Sequence, residues 1–357
     1  MPEWSVSKHA MIARRLLNKP LRARAFQPSV SGGRLATGAG LLALLLAAVP
    51  TDVRGDGAEP PSPRQLLTRM VSAYENRTFS GRFLYMLAGE VSTLALQRAV
   101  IDGREYERLT HLQGRPTEVI RNNGRTVSVQ SDESVTVLSS SNEIGPLNLG
   151  DETSPEIPSQ YEARLPGADR VAGRPCWQLD LEPRDRHRYG YRLWLDRESG
   201  LLLKSEVLDG DRAALERVEF ISLDLDPGLK EQHFSLPKQL HASAQDAPAP
   251  ASGPRIRAGW LPEGFVMAAR DRHHLEGRTG ILNSTTYSDG LTAFTLFVEP
   301  GPAGGAEPGA RRRGPTVVLA RTLEADNEHF RATLVGEIPP ATGRRILNRV
   351  ALESGDD

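Results

Sequence analysis

Between His187 and Ser205 the chain alternates with a period of two. Tyr189, Tyr191, Leu193 and Leu195 interleave with Arg188, Gly190, Arg192, Trp194 and Asp196. That period belongs to a half-buried strand, one face apolar and the other polar. Asp196 to Gly200 then reads as a turn, with Gly200 free to take a positive φ, and Leu201 to Ser205 returns as the second arm of a β-hairpin. A chain holding this segment must build antiparallel sheet with a broad apolar face. The segment carries no evident catalytic group, which points toward binding rather than chemistry.

The preceding sequence supplies the rest of that sheet and one helix to cover it. Ser62 is placed to cap a helix, with Pro63 at its first position and Gln65 completing a capping box. Leu66, Leu67, Met70, Val71 and Tyr74 form its apolar stripe, and the helix ends near Asn76. Phe79, Gly81, Phe83, Tyr85 and Leu87 share one face of a first strand. Val91 to Ile101 and Arg104 to Leu112 continue the pattern, and Asn122-Asn123-Gly124 is a hairpin turn. Ser139 to Gln160 reads as a long loop, Tyr161 to Leu165 as a short helix, and Cys176 to Leu181 as a strand.

Residues 238–254 have a different composition. Ser243 to Pro254 offers no large apolar side chain and holds three prolines, so it marks a linker. The expected division is a leader over 1–50, a large domain over 60–237, a linker over 238–254 and a smaller α+β domain over 255–352. In that smaller domain Leu291 to Val298 reads as a strand and Gly301 to Gly314 as a mobile hairpin loop carrying Arg311-Arg312-Arg313. Residues 341–352 read as a final helix with Ile346, Leu347 and Val350 facing inward. Trp260 and Phe265 read as anchors of that domain's core, with an interface role as the alternative.

The N-terminus reads as an export signal with a long leader. Leu35 to Val49 is apolar and follows a basic region. At about 15 residues it suits a signal-peptide core and falls short of the roughly 20 of a membrane span, the alternative reading. Residues 1–50 hold seven basic residues and one acidic residue, a net of +6, which leaves −7 for the remainder of a chain whose total is −1. An acidic exported protein is a poor nucleic-acid binder. Cys176, the one cysteine, excludes an internal disulfide and reads as a buried, inert thiol.

Catalytic constellations are scarce. Ser235-Leu236-Pro237-Lys238 matches a bare SxxK pattern, but Pro237 breaks the helix that this chemistry needs. His273 and His274 are adjacent, so on an extended segment they point opposite ways and cannot share one ion. No metal, cofactor or enzymatic activity is expected. Arg184, Arg186, His187 and Arg188 form a basic cluster, read as a solvated strand start or a contact for an anionic head group. Phe83, Tyr85, Tyr189, Tyr191 and Leu193 are the candidate site: they either fill the core or line a lipid cavity under a curved sheet.

These pieces resemble the RseB/MucB family of periplasmic regulators. The resemblance rests on Leu66 to Tyr85, Arg174 to Trp177, Arg188 to Asp196 and Gly200 to Ser205. In the smaller domain it rests on Gly259 to Phe265, Tyr287 to Leu291 and Gly336 to Thr342. It implies a mostly antiparallel α+β protein, with a LolA/LolB-like half-barrel followed by the smaller domain. It also implies a periplasmic negative regulator that binds the periplasmic part of a transmembrane anti-sigma factor. Such a regulator shields its partner from regulated proteolysis and is released by lipid or lipopolysaccharide. The alternative is a periplasmic lipid or lipoprotein carrier. No nucleic-acid partner is implied, and a homo-oligomer is left open.

Overall fold

A computed structural model describes residues 60–114, 117–122, 125–130, 135–138, 157–237, 254–274, 281–301, 309–325 and 327–353. The expected leader, most of the linker and the centres of two loops lie outside the described residues. The N-terminal unit begins with helix α1 (Pro63–Asn76). Six strands follow: β1 (Phe79–Leu87), β2 (Glu90–Ile101), β3 (Arg104–His111), β4 (Thr117–Asn122), β5 (Arg125–Gln130) and β6 (Val135–Leu138). After Ser139 to Glu156 come β7 (Tyr161–Val171), β8 (Arg174–Pro183), β9 (Gly190–Asp196), β10 (Leu202–Leu208) and β11 (Ala214–Asp224), then a 3-10 turn at Glu231–Phe234. All eleven strands form one antiparallel sheet in the order β6-β5-β4-β3-β2-β1-β11-β10-β9-β8-β7. The two hairpin systems join where β1 pairs with β11, so that among the described residues β6 and β7 are the edges of the sheet.

The capping box forms as the sequence predicts. Ser62 Oγ accepts from the Gln65 N–H at 3.3 Å and Gln65 Oε1 accepts from the Ser62 N–H at 2.8 Å. The helix buries Leu66, Leu67, Met70 and Ala73. Leu66, Leu67 and Met70 meet Leu179, Leu181, Leu193 and Leu195 on the inner face of the sheet, and Ala73 meets a second cluster around Phe79, Phe83, Leu94 and Phe220. Gly200 turns the β9–β10 hairpin with φ of 79°, and a Cβ there would sit 3.1 Å from Arg69 O in the helix. The left-handed backbone and the close helix together require glycine.

The outer face of this hairpin is also covered, which corrects the half-buried expectation. Trp194 is 4 % exposed: its Nε1 donates to Asp169 Oδ2 at 2.8 Å and the Lys204 ammonium lies 4.2 Å from its ring centroid. Beside it a ladder of directly opposed charges crosses four strands, from Asp180 to Arg192 (3.3 Å), Glu206 (3.4 Å) and Arg217 (2.7 Å). Alternation therefore survives, but with aliphatic stems and an indole under paired charges on the polar side.

The C-terminal unit contains β12 (Arg255–Ala258), β13 (Val266–His274), β14 (Ile281–Ser288), β15 (Ala293–Pro300), β16 (Gly309–Arg313), β17 (Thr316–Ala325), β18 (Glu328–Gly336), helix α2 (Pro340–Leu347) and β19 (Val350–Glu353). Six strands order as β13-β14-β15-β18-β17-β16, and β12 pairs with β19. Phe265, Tyr287, Phe294, Leu296, Leu334, Ile338 and Ile346 form the core. Phe265 is thus a core anchor as expected, while Trp260 is only partly buried at the rim.

Three local expectations are corrected. Tyr161 to Leu165 is the start of β7, paired with β8, because five residues before Pro166 are too few for a helix and Tyr161 and Ala163 fall opposite Pro183 and Leu181. The final helix stops at Leu347, and Val350 and Leu352 pair with Ala258 and Ile256 instead. The arginine-bearing part of the Gly301 to Gly314 segment is a strand, since Gly309–Arg313 pairs along β17.

Candidate functional site

The five sequence-predicted site residues are divided between two core clusters. Phe83 packs on Phe220, ring centroids 5.5 Å apart, within the cluster that holds Phe79, Leu94 and Trp194. Tyr189, Tyr191 and Leu193 belong to the cluster under α1, where Leu193 is fully buried. Tyr85 is half-buried and donates from its hydroxyl to Glu216 Oε2 at 3.3 Å. The three tyrosines converge on the seam between the two units. Burial first, and then Glu216 and Glu337, hold the Tyr85 hydroxyl far above its ordinary value. Burial, Glu337 and Asp289 do the same to Tyr191, whose hydroxyl is hydrogen-bonded by the Thr292 side chain. Tyr189 is raised by burial, against the pull of Arg312. Glu337, Asp289, Thr292 and Arg312 all come from the C-terminal unit.

Of the basic cluster before β9, Arg184 and Arg186 are exposed, in keeping with a solvated strand start, whereas Arg188, with His187 beside it, builds the centre of that seam. The Arg188 side chain is fully buried. Its Nη1 donates to Asp289 Oδ2 at 2.6 Å and its Nη2 to the Glu263 carbonyl at 2.6 Å, both across the seam. Nε and Nη2 also reach Asp185 at 3.2 and 3.0 Å. The rings of Phe265 and Tyr161 flank it with centroids at 5.1 and 5.7 Å. Asp289 is held for this task by its own turn, whose Leu291 and Thr292 N–H groups donate to Oδ1 at 3.0 and 2.9 Å. Burial keeps the Asp289 carboxyl above its usual range, with the turn N–H groups and Arg188 pulling against it. A buried pair of this kind adds little net stability, but breaking one side of it is costly, so it selects one geometry.

Contacts around this clamp extend the seam. Leu291 leaves the C-terminal unit and packs into the N-terminal cluster of Leu66, Leu67 and Leu193. His187 Nδ1 lies 3.0 Å from Thr342 Oγ1, and its ring meets Trp260 edge-on at 5.3 Å. Burial, Arg345, Arg186 and Arg188 hold the imidazole below its ordinary 6.5, against Asp185. Arg345 in turn covers Trp260 at 3.7 Å. At the far end, Arg313 pairs with the exposed Glu90, and Gly314, at φ of 56°, comes so close to Leu87 that a Cβ would collide with it.

Asp289, Leu291, Thr342 and Glu337 were not singled out from the sequence. They lie in the stretches Tyr287 to Leu291 and Gly336 to Thr342, which carried the resemblance without a role. Cys176 is buried and its thiol is pushed up to about 11, chiefly by burial, so it offers no nucleophile at neutral pH.

Comparison with known proteins assigns both units. The family described as the MucB/RseB N-terminal domain matches residues 62–240, and that described as the MucB/RseB C-terminal domain matches residues 251–351. The sigma factor AlgU regulatory protein MucB of Pseudomonas aeruginosa is 34% identical over 325 residues, covering 88% of this chain and 97% of that protein. A crystal structure of MucB in complex with MucA(peri) is similar with a TM-score of 0.64 and 32% identity, over 81% of this chain and 98% of that one. A second crystal structure of MucB gives 0.55 and 30% identity, over 81% of this chain and 97% of that one. With both units matched in order and nearly the whole length of its relatives covered, the chain belongs to the MucB/RseB family of sigma factor regulatory proteins.

Proposed function

We propose that this protein is a periplasmic negative regulator. It binds the periplasmic part of a membrane-spanning anti-sigma factor and shields it from regulated proteolysis, and lipid signals release it. The observation that carries the reading is the match of both units, in order, to a relative whose structure was solved bound to MucA. The leader over 1–50 supports export, and the composition of 238–254 supports a linker between domains over 60–237 and 255–352. The reading is of a binding protein without catalytic activity. Its seam consists of paired charges and protonated tyrosines, and its thiol is buried.

We read Phe83 and Leu193 as core, and Tyr85, Tyr189 and Tyr191 as seam residues. The inner face that a carrier would need for a lipid is occupied by α1, whose Leu66, Leu67 and Met70 are buried there. That weighs against the carrier alternative.

The test is a proteolysis assay on the purified periplasmic domain of the anti-sigma factor with its initiating protease. Adding this protein is expected to slow cleavage in proportion to the complex formed. An unchanged cleavage rate at saturating protein overturns the reading. A stoichiometric acyl ligand after native purification, with no binding of the anti-sigma domain, would restore the carrier.

A further inference from the structure

Among the described residues, the contacts that join the units across the seam differ in kind. At one end is the buried clamp of Arg188, Asp289, Asp185 and the Glu263 carbonyl, with Leu291 seated beside it. At the other end is the Arg313–Glu90 pair, with Glu90 largely exposed. Exposed ion pairs hold little, whereas a buried guanidinium with directed partners tolerates one orientation only. Rotating the C-terminal unit would strip Arg188 of two of its bonds at once, take from the buried Asp289 carboxyl its guanidinium partner, and draw Leu291 out of an apolar cluster. The arrangement that the clamp holds is similar, at a TM-score of 0.64, to that of a relative solved in complex with its partner.

We propose that Arg188 is a positioning residue for partner binding: through Asp289 and Glu263 it holds the two units in the binding-competent arrangement without touching the partner. This rests on the function proposed above. The Arg188 and Asp289 side chains are wholly buried, so neither presents a surface to another protein. Their influence on affinity runs through the population of the closed arrangement. Apparent affinity falls in proportion to the fraction of molecules that are closed, so a variant closed about one tenth of the time binds about tenfold more weakly.

The experiment measures binding of the purified anti-sigma periplasmic domain by titration calorimetry, with small-angle scattering on the unbound protein. Arg188→Gln is expected to expand the unbound protein and weaken binding about tenfold. The second arm adds Glu90→Cys and Arg313→Cys, joined by a short bismaleimide across the exposed end of the seam. The buried Cys176 does not compete for that reagent. Restored affinity in cross-linked Arg188→Gln supports a positioning role, since a lost contact or a damaged fold is not repaired by a distant tether. Thr342→Val, which removes the His187 contact and leaves both cores intact, serves if Arg188→Gln does not fold, and it is expected to weaken binding in the same direction with the same rescue. If the unaltered protein fails to bind, the proposed function falls and this inference with it. If it binds and the variants bind equally well, or if weakened binding is not rescued by the cross-link, the inference alone is overturned.

Discussion

The buried pair of Arg98 and Glu107 gives a sharp test of how the N-terminal sheet is held to its helix. Arg98 is 1 % exposed and Glu107 is fully buried, and Arg98 Nη1 donates to Glu107 Oε1 at 2.6 Å. Arg98 Nε also donates to the Tyr74 carbonyl at the end of α1, Nη2 reaches Glu105 at 3.0 Å, and the guanidinium lies 4.1 Å from the Tyr74 ring centroid. The Tyr74 hydroxyl donates to the same Glu107 oxygen at 2.5 Å. Replacing Arg98 with Met keeps most of the volume but leaves a buried carboxylate with its main counter-charge gone. Removing one partner of such a pair costs about 3–5 kcal/mol. Replacing both, as Arg98→Met with Glu107→Leu, removes the unpaired charge and is expected to recover most of that loss. Urea unfolding followed by far-UV circular dichroism reads Arg98→Met, Glu107→Leu and the double variant. Arg98→Met within about 1 kcal/mol of the unaltered protein, the size of an ordinary surface pair, would refute the reasoning. A double variant as unstable as the sum of the singles would refute it equally.

Other expectations are narrower. Cys176 should resist a thiol reagent at neutral pH in the folded protein and react once denaturant is added; rapid labelling of the native state would contradict its raised thiol value and its burial. Gly336→Ala should destabilise the C-terminal unit by about 2 kcal/mol, because the new Cβ would lie 2.3 Å from Phe294 Cβ in a core with no slack; a thermal midpoint equal to that of the parent would refute this. His187 is held below 6.5 in the folded state, so closure of the seam is fully supported above that pH and weakens as pH falls through the folded value. Imidazole NMR should place the titration below that of a free histidine, and His187→Asn should flatten the pH dependence of seam closure measured by scattering. Ser62→Ala should cost about 1 kcal/mol through loss of the α1 cap, read by the same urea assay.

Local patterns carried much of the fold. The capping box at Ser62 and Gln65, the alternation from Tyr189 to Leu195 and the Gly200 turn each depend on residues a few positions apart, so the chain states them directly. Two errors came from segments where local signals conflict. Tyr161 to Leu165 has no clean period, and its pairing with β8 decides it. Val350 and Leu352 continue a helical spacing but are claimed by Ile256 and Ala258 of a strand nearly a hundred residues earlier. The candidate site was legible only as a row of tyrosines. Which side of them was filled by α1, and which faced a second unit, depended on contacts the sequence does not order.

By itself the sequence determined that this chain builds antiparallel sheet under a capped helix, that two dissimilar segments flank a proline-rich stretch, and that its residues match one regulatory family. These are matters of period, turn chemistry and composition, all local. The tertiary structure alone decided the fate of Arg188. In sequence it is one of several basic residues before a strand, indistinguishable from its solvated neighbours. Besides the local Asp185, its carboxyl partner Asp289 stands 101 residues away, on a turn whose own backbone aims it across the seam. A charge becomes a clamp only when folding removes water from it and brings an opposite charge into reach, and neither event is written in the spacing of nearby residues.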